Sequence, residues 1–145
     1  MRTFVTALAM AMVATSAAWA GPRCGSRDLR AILAEQGFTG ALGDGGDSLR
    51  WLGAWGESHA DYFAYWYEHV DRSRPAGHAV RSVIVMDRAC RYLGRYVVNP
   101  SKPHIHARVI YFADASSGEG NKIVLTSKGP PLRAWIDGEN PELAK

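Results

Sequence analysis

Residues 78–87 read HAVRSVIVMD, and this segment is apolar on both faces. With the two-residue alternation of a strand, Val80, Ile84 and Met86 point one way, and Val83 and Val85 point the other. Its β-branched content suits a strand. A strand that is apolar on both sides has to lie inside its sheet with a layer over each face.

The segments around it follow the same rhythm. ADYFAYWYEHV (60–70), RYLGRYVV (91–98), HIHARVIYF (104–112), KIVLT (122–126) and LRAWIDG (132–138) each read as one strand, separated by turn residues. SLRWLGAWGES (48–58) fits helix or strand with Trp51 and Trp55 on one face, and Gly53 and Gly56 favour the strand. NPSKP is expected to stay outside any ladder, and NPELAK reads as a tail. Before them, SRDLRAILAEQG (26–37) predicts a short helix capped by Ser26 and closed at Gly37, with Leu29, Ile32 and Leu33 on one stripe. FTGALGDGGDS (38–48) reads as a glycine-rich loop; it lacks the ligand alternation and distal Glu of an EF-hand calcium loop. The expected fold is mainly β: an antiparallel meander of about six strands, as a small barrel or a strongly curved sheet, with one N-terminal helix packed on it.

The first twenty residues stand apart. A single Arg2, an apolar stretch and Ala18-Trp19-Ala20 form a secretory signal pattern with cleavage expected after Ala20. That places residues 21–145 in a single β-rich domain, periplasmic or secreted, with no stable membrane span. Without Arg2, the 17 basic residues become 16 against 14 acidic ones, interspersed and without a basic run. Nucleic acid as a partner has no support in that distribution. Two cysteines, Cys24 and Cys90, in an exported chain are expected to form a disulfide.

The aromatic segment DYFAYWYEHV carries the main candidate site. As a strand it places Tyr62, Ala64, Trp66, Glu68 and Val70 on one face, and Asp61, Phe63, Tyr65, Tyr67 and His69 on the other. The small Ala64 between two large rings marks the first face as core. Tyr65, Tyr67 and His69 are the candidates for an exposed binding surface, because their polar tips want water or a partner. Tyr92 and Tyr96, on one face of a later strand, would extend it.

Other groups give weaker chemistry. His104 and His106 point the same way from a strand, but zinc would need a further ligand such as His69, His78 or Glu68 from an adjacent strand. Cys24 before a helix and His78 heading a strand are similar to the layout of papain-like peptidoglycan amidases. That resemblance implies a thiol nucleophile at Cys24 with His78 as its base; the small-residue pattern that follows the cysteine in those families is missing. It competes with the disulfide, because a bridged sulfur cannot attack. No serine sits in a nucleophile elbow, and no glycine-rich phosphate loop opens a helix. The functional expectation is a small binding protein, with no cofactor, that contacts a protein partner in the cell envelope or outside the cell, as an inhibitor or immunity-type protein of an envelope enzyme would. The alternatives are a barrel that holds a small apolar ligand and the thiol peptidase or amidase.

Overall fold

The computed structural model describes residues 28–42, 46–58, 60–73, 77–100, 102–112, 121–136 and 138–145. The expected signal segment, Cys24 and Ser26 lie outside them. The elements run α1 (Leu29–Glu35), β1 (Asp47–Trp55), β2 (Tyr62–Asp71), β3 (His78–Asp87), β4 (Tyr92–Val98), β5 (Pro103–His106), β6 (Val109–Phe112) and β7 (Lys122–Val124). They form two antiparallel sheets, β1-β2-β3-β4 and β5-β6-β7. The fold is therefore mainly β, with one short helix, as its residue pattern predicts.

The four-stranded sheet is the middle layer, and β3 lies inside it. Trp66, Ala64, Val83, Val85 and Tyr96 pack on one side with Ile110, Phe112 and Ile123 of the small sheet. On the other side Phe63, Tyr65, Tyr67, Ile84 and Met86 pack under Ile32, Leu33 and Phe38. The helix is capped by Asp28, whose carboxylate accepts from the Arg30 N–H at 3.2 Å. Gly37 at φ +86° closes it, the left-handed conformation that glycine adopts without a Cβ penalty. The Gln36 side chain then ties its end to the middle sheet, donating to the Cys90 carbonyl at 2.8 Å and accepting from the Tyr92 N–H at 2.6 Å.

Three local irregularities redirect side chains. In β1 the register slips between Trp51 and Gly53, so Trp51 and Trp55 face opposite layers instead of sharing one. The slip between Val85 and Met86 in the β3–β4 ladder does the same to Tyr92 and Tyr96. The segment 104–112 is not one strand. Ala107 and Arg108 adopt φ 45° and 63° and fold it into a two-residue hairpin. Pro103 also departs from expectation. It pairs with Phe112 at the start of β5, which is acceptable because β5 is an edge strand.

The C-terminal residues are stitched in rather than trailing. Arg95 and Ala144 exchange backbone hydrogen bonds of 2.7 and 3.0 Å, which covers the edge of β4. A Cβ on Gly94 would sit 2.9 Å from the Ala144 carbonyl oxygen, so this close approach requires glycine. The described residues of 132–138, expected as a strand, make isolated bridges instead: Arg133 with Glu142, Lys122 with Trp135, and Ile136 with Glu139. Together with the Arg95–Ala144 pair, they link β7 to β4 on one side. On the other side β1 and β5 share no ladder, so of the two expected forms the barrel does not close and the open, curved sheet is the one found. They touch through Gly53 against Ile105, and through Arg50, which donates to the Pro103 carbonyl at 3.5 Å. No helix among the described residues is long and apolar enough to cross a membrane.

Candidate functional site

The face assigned to recognition is buried. Tyr65 is 6% exposed and Tyr67 1%. Phe38 meets the Tyr67 ring edge-on at 5.1 Å, and the Tyr67 hydroxyl donates to the Ala41 carbonyl at 2.7 Å. The cover is the helix together with the loop that follows it, which acts as a lid of Phe38, Ala41 and Leu42 rather than as a spacer. Burial deprives the Tyr65 hydroxyl of solvation and raises its pKa to about 12. Tyr65 and Tyr67 thus offer no surface in the folded chain. His69 is half-buried, between Asp47 and Val80 on the flanking strands.

The other candidates are dispersed. His78 is exposed at the start of β3, opposite Asp71. Glu68 is held by Arg81 at 2.7 Å. His104 and His106 do share an exposed face, but the residues opposite them on β6 are Tyr111 and Val109. Among the described residues no group of three His, Cys, Asp or Glu side chains could hold a metal. Cys90 stands in the β3–β4 turn. Its expected partner Cys24 lies outside the described residues. In that turn Asp87 accepts from the Ala89 and Arg91 N–H groups and from the Arg91 guanidinium, so its carboxylate is committed to structure.

The surface that meets water is the outer face of the small sheet. Alternation sends Ile110, Phe112, Ile123 and Leu125 inward and Tyr111, Lys122 and Val124 outward. Register places His104 beside Tyr111, Tyr111 beside Lys122, and Lys122 beside Trp135. The His104 imidazole stacks on the Tyr111 ring at 5.4 Å and 20°. Trp135 is 57% exposed, Val124 53% and Tyr111 36%. An exposed Trp flanked by Tyr, a lysine and two imidazoles is an amphipathic patch on a rigid ladder.

Family models, curated proteins and solved structures yield no match to the chain. The site therefore rests on its own geometry.

The two-residue turn explains why this patch escapes a reading of the sequence. In a single strand over 104–112, Tyr111 would point away from both histidines. The hairpin brings position 109 opposite 106 and 111 opposite 104, so Tyr111 joins their face. The available signal was the alternation itself: Tyr111, Val124 and Trp135 each stand between two inward-facing apolar neighbours.

Proposed function

We propose that this chain is an exported binding protein that grips a protein partner through the outer face of the β5-β6-β7 sheet. The observation that carries this reading is the exposed row of His104, Tyr111, Lys122 and Trp135. Trp and Tyr are the side chains that most often anchor interfaces, and a ladder holds them without the entropy cost of ordering a loop. The cationic flank suits a partner surface that carries carboxylates around a pocket for the indole. The signal pattern in residues 1–20 supports a periplasmic or secreted location. A contact inhibitor or immunity-type protein of an envelope enzyme fits both features.

Binding is tested with the mature chain immobilised against envelope and culture-fluid proteins. Replacing Trp135 and Tyr111 together by Ala should weaken capture at least tenfold while the thermal melt stays near that of the parent, because both side chains stand outside the core. Capture that survives the double substitution would move the site elsewhere.

The Cys24–Cys90 disulfide belongs to the same reading. Thiol titration in denaturant should find no reactive sulfur in the exported protein, and one linked peptide should contain both cysteines. A titratable Cys24 would instead restore the thiol-enzyme alternative with His78.

A further inference from the structure

A second binding site follows from the seam between the sheets, independently of the outer face. The two edges of the four-stranded sheet are treated differently. At β4 the chain's own C-terminal segment covers the edge, with Ala144 bridged to Arg95. At β1 no strand is added among the described residues. Beyond the contact of Gly53 with Ile105, β1 and the β5–β6 turn diverge and leave an open cleft of about 800 Å³. Residues 51–57 form one wall and residues 105–108 the other. This volume lies within the range of ligand sites.

The cleft therefore runs along the backbone of an edge strand, with Trp51, Leu52 and Ile105 supplying apolar wall. Trp55, which also lines it, is 1% exposed, and its indole N–H has no hydrogen-bond partner. A buried donor left unpaired costs roughly 1 to 3 kcal/mol, so hydrogen bonding at this end of the seam is incomplete.

We infer that the cleft accepts an extended peptide segment of a partner protein, which adds to β1 as a fifth strand of the sheet. Main-chain N–H and C=O groups of an edge strand are matched by another main chain, and the side-chain walls then select alternate residues of the incoming segment. Residues 51–55 span roughly 16 Å at about 3.3 Å per residue, room for a five- or six-residue segment. A second copy of this chain is the poorer occupant. The β5–β6 turn lines the cleft opposite β1, which leaves less width for a whole sheet than for a single strand.

The test is a magnetic resonance titration of the uniformly labelled mature protein. The probe is a blocked six-residue peptide alternating valine and serine, added to about 1 mM, where even weak strand addition registers. The expected result is movement of the backbone amides of residues 51–57 and 105–108 and of the Trp55 indole N–H. A second peptide, N-methylated at alternate residues along either edge in turn, should lose at least tenfold in affinity for the edge that faces β1. Four results would overturn the inference: no response at those amides, equal binding by both N-methylated forms, movement confined to Tyr111, Lys122 and Trp135, or β1 amides that respond to protein concentration alone. The last would assign the edge to a second copy.

Discussion

Raising the pH above 10 is expected to unfold this protein, and its buried tyrosines are the cause. Burial raises the pKa of Tyr65 from 10.0 to about 12. It raises that of Tyr96 further, and that of Tyr92 against an opposing pull from Arg95. Below pH 10 the phenols are protonated in both folded and unfolded chains, and the stabilisation is fully present. Above it the unfolded chain releases these protons first, so stability falls until the folded groups titrate as well. For Tyr65 alone two pKa units correspond to about 2 to 3 kcal/mol. Domains of this kind are stable by only about 5 to 15 kcal/mol, so several such groups together suffice. Tyrosinate absorbance followed beside circular dichroism reads this directly. The buried phenols should ionise only as the sheet signal disappears. A smooth titration of every tyrosine near pH 10 with the sheet intact would contradict this.

Trp66→Ala is expected to cost about 3 to 5 kcal/mol, the range for deleting a large buried ring. Trp66 faces the layer between the sheets and lies 6.4 Å from the Phe112 ring, so its loss leaves a cavity both sheets must bridge. Trp135→Ala, on the outer face, should stay within about 0.5 kcal/mol. Urea unfolding of the two variants separates the roles. Trp66→Ala should shift the midpoint strongly, whereas Trp135→Ala should affect partner capture alone. Similar small effects from both would mean that the inter-sheet core is looser than the packing of Trp66 and Phe112 indicates.

Alternation along β2 and β3 could be read directly from the residues. Tyr62, Ala64 and Trp66 do share the inter-sheet face, and Phe63, Tyr65 and Tyr67 share the opposite one. Ile84 and Met86 likewise separate from Val83 and Val85. Both strands are regular over their whole length, so period two holds without interruption. It fails wherever one extra residue or a tight turn resets the parity. For that reason Trp51 parts from Trp55 and Tyr92 from Tyr96, and Tyr111 joins the face of His104. Each reset depends on a partner strand, because a bulge or a register exists only between two strands.

Exposure was harder to read than facing. Tyr65 and Tyr67 carry hydroxyls, and their strand ends in His69, which suggested a wet face. Residues 38–42 cover that face, although the glycine-rich stretch 38–48 that they open reads as a spacer. Gly40 is instead packed so closely on Phe38 that it has no room for a Cβ, with the Tyr67 ring 3.0 Å from where one would stand.

By itself, then, the residue pattern determined a mainly β domain, a central β3 covered on both sides, a short helix, and the split of β2 into two faces. These follow from local periodicity and turn chemistry, which act over a few residues. Only the tertiary structure decided which aromatic residues meet water, that the barrel stays open at β1 and β5, and that His104, Tyr111, Lys122 and Trp135 form one row. Those outcomes depend on contacts between segments far apart in the chain, where one hairpin or bulge reverses every side chain beyond it.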